Sequence, residues 1–484
     1  MDSAKRALLL SFSERYSAFI VAAASVTILS RLLTPRDIGL YSIGAALTSV
    51  LAMFRDFGVA TFLIQEPEIT AEKFHTALSI SVLTALTIAA LIAAAAPFAA
   101  GFYGEPGIAS VMHITAATFL FTAFNSVALT WFRREMRYAV LYRMTMAGAV
   151  CGAATSVTLA ALGFGYMALA WASLANVTGI FCASMLYWPR HFGYRFCLKH
   201  GYAIGAFGFY SMAGNLLGEV ASRCDDLIVG RIVGLAPLGL FSRANGLVTM
   251  GRETTLSAVM PVAMSVFAVS SRAGESFRPA YLGGVELLTG VVWPVFAFIG
   301  LMALPIIHIL FGSQWDASAG PAHLLAIAGA IGALTVLHYP VYQATGALRQ
   351  RVQVHLVCTP VQILSMAGAA YFGLTAAAGA VAFSALVEFA VAQRAVNRLI
   401  DGSFRDIARA VRKSAYVAVA TAAGPLLILI EARPTPGFMW QPLAGAAIVA
   451  AIAWPAAIFG FRHPLSRELV GALRYGRGLL ARLA

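Results

Sequence analysis

The apolar run ALSISVLTALTIAALIAAAAPFAA, residues 77–100, limits more than any other feature what this chain can fold into. An α-helix rises about 1.5 Å per residue, so about 20 such residues cross the ~30 Å hydrocarbon core of a membrane. Of the 484 residues, 60% are hydrophobic and 11% are charged, whereas soluble domains carry about 25% charged residues. The sequence therefore predicts an all-α polytopic membrane protein.

Hydropathy predicts about fourteen transmembrane helices, and the basic residues predict their orientation. If the N-terminus is cytoplasmic, 26 of the 34 Lys and Arg residues fall on the cytoplasmic side and four on the opposite side. Such an excess marks cytoplasmic loops, so we expect both termini in the cytoplasm, and the net charge of +13 needs no nucleic-acid partner. The predicted spans are 16–33, 38–65, 76–101, 108–131, 140–162, 166–188, 205–233, 239–268, 283–311, 320–344, 353–373, 377–393, 414–431 and 441–461.

An internal repeat relates the two halves of the chain. RLLTPRDIGLYS at 31–42 matches RIVGLAPLGLFS at 231–242, and PFAAGFYG at 97–104 matches PIIHILFG at 305–312. The offsets of 200 and 208 residues indicate a duplicated unit of six helices. Because six is even, the repeats are expected to be parallel, with a substrate site between them near the membrane midplane.

This repeat predicts four regions in the chain. Residues 1–200 form an N-terminal six-helix lobe, and residues 201–400 form a C-terminal six-helix lobe. Residues 401–461 contain a linker and two peripheral helices, the thirteenth and fourteenth. Residues 462–484 form a basic cytoplasmic tail with leucines at helical spacing, which is either an interfacial helix or a short anchor.

Charged residues inside apolar segments are the candidate functional residues, because they are costly there and are often functional. Arg55 stands about 15 Å of helix rise from the end of its predicted span, and the adjacent Asp56 does not face it. The pair Arg252 and Glu253 occupies a comparable place in the second repeat, and the seventh span carries a polar stripe. The candidate cavity residues are Arg55, Asp56, Asn215, Glu219, Arg223, Asp226, Arg243, Arg252 and Glu253.

Cationic groups at this depth suit an anionic head group, because the guanidinium fork matches phosphate oxygens. The acids either hold the arginines in the empty site or carry a coupling proton or sodium ion. The alternative is that these charges only pair across helices and lock the bundle together. No metal site or organic cofactor is predicted, since the five cysteines and nine histidines are dispersed.

Several segments of the chain resemble the polysaccharide-transport branch of the multidrug/oligosaccharidyl-lipid/polysaccharide flippases, and in particular its Wzx-like and colanic-acid-exporter-type members. The resemblance covers roughly residues 10–400. The segments that carry it are RLLTPRDIGLYSIGAALTSVLAMFRDFGVATFLIQ, WFRREMRY, DDLIVGRIVGLAPLGLFSRANGL and LFGSQWDASAGPAHLLAIAGAI, of which the DFG…IQ and FG-x-x-W patterns are the most specific.

The resemblance implies two six-helix lobes around a cavity that opens alternately to each side of the bacterial inner membrane. It implies a flippase, not an enzyme, whose cargo is an undecaprenyl-diphosphate-linked oligosaccharide for exopolysaccharide, O-antigen or capsule. It also implies membrane lipids and the polysaccharide polymerase or export machinery as partners. By position, Arg55, Arg223 and Arg252 match the cavity arginines of related flippases.

Four other kinds of protein are alternatives to this interpretation. A multidrug or cation antiporter of the same superfamily would favour a cavity rich in acids, and a peptidoglycan-precursor flippase matches the motifs less well. A membrane polysaccharide polymerase or ligase would need a large loop with catalytic residues, whereas the longest predicted outer loops have about a dozen residues. A membrane scaffold without transport activity would not need matched charges in both repeats.

The distribution of basic residues makes a prediction about topology. A reporter that is active only in the periplasm should stay inactive when it is fused after Ala484, because the tail carries five arginines. A reporter that fluoresces only in the cytoplasm serves as the matched control and should be active at the same position. The opposite pair of results would overturn the predicted orientation.

Overall fold

The computed structural model describes residues 17, 20–55, 59–66, 69–188, 195–199, 218, 220–273, 276–432 and 439–471. The secondary structure of these residues is helical throughout. Among them, nine helices are long and apolar enough to cross a membrane. The chain is therefore an all-α, multi-pass membrane protein as predicted, and the total of fourteen spans stays a prediction.

The chain divides into two compact units, Met1–Gly239 and Leu240–Ala484. The division into lobes at residue 200 stays a prediction. The helices of the first unit are α1 (Ile20–Leu32), α2 (Pro35–Ala52), α3 (Val59–Gln65), α4 (Ala71–Tyr103), α5 (Pro106–Arg134), α6 (Tyr138–Ala161), α7 (Met167–Tyr187) and α8 (220–232). Helix α9 (Leu235–Ala273) begins at the end of this unit and continues into the second.

The second unit contains the remaining helices. They are α10 (Phe277–Leu301), α11 (Ala303–Phe311), α12 (Ala319–Gly332), α13 (His338–Ala344), α14 (Leu348–Ala370), α15 (Leu374–Leu399), α16 (Phe404–Ala432), α17 (Trp440–Gly460) and α18 (465–471). Helix α16 packs along α10, and α17 packs along α16.

Three predicted spans are interrupted in the structure. The span 38–65 contains a 3₁₀ turn at Met53–Arg55 between α2 and α3. The spans 283–311 and 320–344 are each divided into two helices, α10 with α11 and α12 with α13. Pro305 and Pro340 follow these two breaks and lack the N–H that an unbroken helix would need.

The start of α2 is fixed by the TPRD sequence of the first repeat motif. The Thr34 hydroxyl accepts a hydrogen bond from the Asp37 N–H, and the Asp37 carboxylate accepts one from the Thr34 N–H, which makes a capping box. The same carboxylate accepts a hydrogen bond of 3.2 Å from the backbone N–H of Tyr166. Asp37 therefore ties the start of α2 to the turn between α6 and α7.

The two matching repeat segments pack directly on each other through glycines of the first unit. A Cβ atom on Gly39 would lie 1.8 Å from the carbonyl oxygen of Leu235, and one on Gly239 would lie 1.8 Å from that of Pro35. Pro35 and Leu235 each lie four residues before the glycine of their own helix, so the contact is reciprocal. Small residues allow such close approach of membrane helices, and here the approach brings equivalent residues of the repeat together.

Helix α17 is held to α10 at a proline inside the membrane. Pro294 lies within α10 and cannot donate to the carbonyl of Gly290, four residues earlier. The indole N–H of Trp454 on α17 donates to that carbonyl at 3.1 Å. An exposed carbonyl is costly in hydrocarbon, so this bond stabilises the docking of the last predicted span on the second unit.

A second contact fixes the residues that follow α17. The His463 Nδ1 accepts a hydrogen bond from the Leu465 N–H, so the Nε2 carries the proton of the neutral ring and donates to the Ser414 hydroxyl at 3.1 Å. Ser414 in turn donates to the carbonyl of Glu286 at 3.0 Å. Burial, reinforced by the nearby charge of Lys413, lowers the pKa of His463 and favours this neutral form.

The start of the predicted basic tail packs on protein. Leu465 is buried and Leu469 is partly buried, and both belong to an apolar cluster with Val417 and Ile458. Residues 472–484, which contain the other tail leucines, lie outside the described residues.

The glycine crossing makes a prediction about stability. Gly39→Ala should destabilise the protein by about 1–3 kcal/mol, because the methyl group meets a backbone carbonyl that cannot turn aside. Gly246→Ala on α9 is the matched control, since no atom lies within 4 Å of its Cβ position, and alanine favours helix by about 0.5–1 kcal/mol. The measurement is the midpoint of thermal unfolding in detergent, and equal midpoints for the two variants would contradict the crossing.

Candidate functional site

Arg55 lies at a break in the second predicted span. It is the last residue of the 3₁₀ turn Met53–Arg55, which follows the end of α2. The predicted depth of about 15 Å requires one continuous helix over residues 38–65, whereas the α-helix ends at Ala52 and Arg55 lies in the 3₁₀ turn. A 3₁₀ turn within a helical segment often marks a hinge or a functional position. Its neighbour Asp56 lies outside the described residues.

Helix α8 brings two of the predicted charges together. Arg223 and Asp226 are three residues apart, which places them on neighbouring positions of one helix face, and they interact electrostatically. Both side chains are partly buried. Asn215 and Glu219, the other predicted members of this polar stripe, lie outside the described residues.

Arg243 is enclosed by aromatic rings of the second unit. Its guanidinium carbon lies 5.8 Å from the ring centre of Phe311 and 5.4 Å from that of Trp315. Such cation–π contacts contribute up to about 2 kcal/mol where the cation is desolvated. Phe311 and Trp315 are the aromatic residues of the FG-x-x-W motif and are almost completely buried.

The turn of the FG-x-x-W motif is itself fixed. Gly312 follows the last residue of α11 and has a φ of 102°, a conformation that favours glycine. This conformation allows a sharp turn directly after the helix. The ring of His308 is hydrogen-bonded to the Asp316 carboxylate at 3.0 Å across this turn. The motif therefore has a structural role that the sequence did not reveal, because its partner Arg243 lies some 70 residues earlier in the chain.

Arg252 has a different environment from Arg243 on the same helix. Nine residues separate them on α9, and at about 100° per residue they point to opposite sides of the helix. Arg252 and the following Glu253 are exposed in the second unit, whereas Arg243 is packed inward. Arg252 is thus presented on an outer face of its helix, where it is able to contact a ligand or another segment.

The described charges can therefore be separated by what they are able to do. Arg223 is close to an acid, Arg243 is held by rings, and Arg252 is exposed on a long apolar helix. A guanidinium at 4 Å from a phosphate gains about 4 kcal/mol at an effective dielectric of 20, before desolvation is subtracted. Of these three residues only Arg252 is exposed, so its guanidinium group is the most accessible to phosphate oxygens.

Sequence reasoning missed a buried polar cluster in the second unit. The Tyr281 hydroxyl donates to the Gln393 side-chain carbonyl at 2.7 Å, and the Gln393 amide donates to the Asn397 side-chain carbonyl at 2.8 Å. The His338 Nε2 lies 3.0 Å from the same Gln393 oxygen. These four side chains come from α10, α13 and α15 and are all buried, so the cluster joins three helices away from the predicted charges.

The family of this chain is indicated by comparison with known proteins. A family model described as "Polysaccharide biosynthesis protein" matches residues 28–320. The succinoglycan biosynthesis transport protein ExoT of Rhizobium meliloti is 25% identical over 325 residues, which cover 66% of this chain and 65% of ExoT. The teichuronic acid biosynthesis protein TuaB of Bacillus subtilis is 23% identical over 300 residues, which cover 59% of each protein. The chain thus spans less than two thirds of the length of either relative.

The fold is also found among solved structures. The lipid II flippase MurJ in an inward closed conformation matches with a TM-score of 0.73 at 11% sequence identity, covering 96% of this chain and 100% of that chain. At this identity the likeness establishes the fold alone.

The buried cluster makes a prediction about stability. Gln393→Leu should destabilise the protein by about 1–3 kcal/mol, because it leaves Tyr281 and His338 without their shared acceptor. Gln343→Leu, at an exposed position of α13, is the matched control and should change stability by less than about 0.5 kcal/mol. Thermal unfolding of the purified variants measures both effects, and a neutral Gln393→Leu would show that the cluster does not hold these helices together.

Proposed function

The chain belongs to the polysaccharide biosynthesis protein family, whose model matches more than half of its residues, and on this premise we propose that it is a flippase for a lipid-linked oligosaccharide. The cargo is an undecaprenyl-diphosphate-linked repeat unit of an exopolysaccharide, O-antigen or capsule. The protein moves it across the bacterial inner membrane by alternating access, with both termini in the cytoplasm.

The names of the relatives support the class of cargo. ExoT is described as a transport protein of succinoglycan biosynthesis, and TuaB as a protein of teichuronic acid biosynthesis. Both names refer to polysaccharides. The family match supports the same kind of cargo for this chain.

One structural observation carries the proposal for the polar head of the cargo. Arg252 is an exposed cation in the interior of α9, with 17 residues before it in that helix and 21 after it. A cation in an apolar helix is costly and marks a substrate path more often than a structural site. A diphosphate supplies two phosphate groups, so one exposed guanidinium is able to bind it through two parallel hydrogen bonds.

The other charges have supporting roles in this proposal. Arg55, at the break after α2, is the second candidate for binding phosphate, since a break allows its side chain to move with the neighbouring helices. Asp226, which lies near Arg223, holds that arginine in the empty site or carries a coupling proton or sodium ion. Glu253 does not face the adjacent Arg252, so it is proposed only as a carrier of the coupling ion. Arg243 anchors α9 to the FG-x-x-W turn and keeps Arg252 facing outward from its unit.

The proposal predicts the effect of removing the exposed cation. Arg252→Ala should reduce glycan export about tenfold or more, because a charge-assisted hydrogen bond contributes about 1.5–3 kcal/mol. Arg252→Lys should retain an intermediate activity, because the charge stays and the fork is lost. Arg133→Gln, at an exposed position near the end of α5, is the matched control and should export normally. The measurement is polysaccharide output of a deletion strain that expresses each variant at equal abundance in the membrane.

Two results would separate the alternatives. Normal export by Arg252→Ala and by Arg55→Ala would contradict a role of these residues in binding cargo. Accumulation of a lipid-linked oligosaccharide in the deletion strain is expected, and its absence would contradict the assignment of the protein as a flippase.

A further inference from the structure

An apolar groove runs along one side of the second unit between α10, α12 and α16. Its volume is about 680 Å³, and its walls include Phe296 of α10, Ile327 of α12 and Val419 of α16. The polar groups that border it are satisfied within the protein, since the Trp293 indole N–H donates to the Ala330 carbonyl and the His323 ring bonds to the Gly300 carbonyl. The part of a ligand that enters this groove is therefore hydrocarbon.

Helix α16 connects this groove to exposed cations. Arg405, Arg412, Val419 and Leu426 follow one another at seven-residue intervals, so they form one row along the helix. All four are exposed, Val419 to 70% and Leu426 to 42%. Val419 and Leu426 line the groove. Arg412 lies seven residues before Val419 in the same row, and Arg405 lies seven residues before Arg412.

The position of the membrane boundary on α16 is marked by its residues. The last charges before the apolar stretch are Arg412 and Lys413, and the predicted span 414–431 begins directly after them. Tyr416 is half exposed and its ring contacts that of Phe461 at a centroid distance of 5.6 Å. Aromatic residues of this kind are enriched at the level of the lipid head groups, so Arg412 lies at the depth of a phospholipid phosphate.

A second chain segment adds positive charge at the same end of α16. The Lys413 ammonium donates to the carbonyl of Arg462 at 3.1 Å, which brings the turn after α17 beside the helix. The acids nearby are Asp406, Glu286 and the exposed Glu468. Asp406 is already paired with Arg278 at 2.8 Å, and Glu286 lies near Lys413. Arg405 and Arg412 therefore give an excess of positive charge at the end of the groove next to Ala415.

We propose that this groove binds an anionic phospholipid, with its phosphate at Arg412 and one acyl chain along Val419 and Leu426. Arg405 increases the attraction for the negative head group, and α10 and α12 enclose the chain. The site is separate from the proposed cargo-binding residues and does not depend on the nature of the cargo. The bound lipid belongs to the leaflet that contains the N-terminal end of α16, and it keeps this helix in contact with that leaflet.

The length of the groove favours a phospholipid over the proposed cargo. From Ala415 to Leu429 the lining of α16 extends over 15 residues, which is about 21 Å of helix rise. The hydrocarbon of one leaflet is about 15 Å thick, half of the ~30 Å core, so one acyl chain fits within the groove. An undecaprenyl chain is more than twice as long as a common acyl chain and would extend beyond the groove.

Photochemical labelling tests the proposal on the full-length protein in phosphatidylcholine nanodiscs. Two probes are compared, a phosphatidylglycerol and a phosphatidylcholine that each carry a diazirine on one acyl chain, and labelled residues are mapped by mass spectrometry. We expect the phosphatidylglycerol probe to label the groove residues Val419, Leu426 and Ile327 about fivefold more than the phosphatidylcholine probe, as about 1 kcal/mol per basic residue near an anionic head group would give. Equal labelling by the two probes would overturn the proposal without any variant.

Variants locate the two parts of the site. Arg412→Gln should reduce labelling by phosphatidylglycerol to the level of phosphatidylcholine, and Ala422→Phe, which fills the groove, should reduce labelling by both probes. Arg133→Gln is the matched control on the first unit and should change neither. Unlabelled phosphatidylglycerol should compete with the probe, whereas displacement by undecaprenyl diphosphate at a lower concentration would assign the groove to cargo and overturn the phospholipid site. Undiminished labelling in Arg412→Gln would also overturn it.

Discussion

The requirement that polar groups find partners away from water is the constraint on which the rest of this structure depends. It explains why Trp454 reaches from α17 to the one carbonyl that Pro294 leaves without a donor. Arg243, whose buried Nε has no hydrogen-bond partner among the described residues, meets the requirement in part through cation–π contacts with Phe311 and Trp315. Where such a partner is provided by the protein, the residue holds the fold together. Where a cation such as Arg252 is exposed on an apolar helix, the same requirement points to a ligand.

The repeat motifs illustrate how one sequence pattern serves packing and function together. Gly39 and Gly239 allow the starts of α2 and α9 to touch through their backbones. Arg55 lies in the 3₁₀ turn that follows α2, and Arg252 lies in the interior of α9. Duplication gives a pair of similar helices, and the break after α2 makes them different.

Much of the fold follows from local properties of the sequence. The apolar runs predicted the membrane helices. The match of RLLTPRDIGLYS with RIVGLAPLGLFS predicted a repeat, and the structure adds that the two segments pack on each other. The breaks before Pro305 and Pro340 have a local cause that the sequence also contains, although the predicted spans ran through them. The 3₁₀ turn Met53–Arg55 is not marked by a proline among residues 38–55. Arg55 therefore lies in a turn and not within the continuous helix that the sequence predicted.

The contacts of the candidate residues could not be predicted, because they join distant parts of the chain. Arg243 meets the FG-x-x-W turn, and Gln393 joins side chains 55 and 112 residues away. Such contacts depend on how helices pack.

Flipping by the purified protein in proteoliposomes tests most directly whether this chain moves a lipid-linked oligosaccharide. A fluorescent undecaprenyl-diphosphate oligosaccharide, loaded in the inner leaflet, should become accessible to an added pyrophosphatase. Accessibility no faster than in protein-free liposomes would contradict the account.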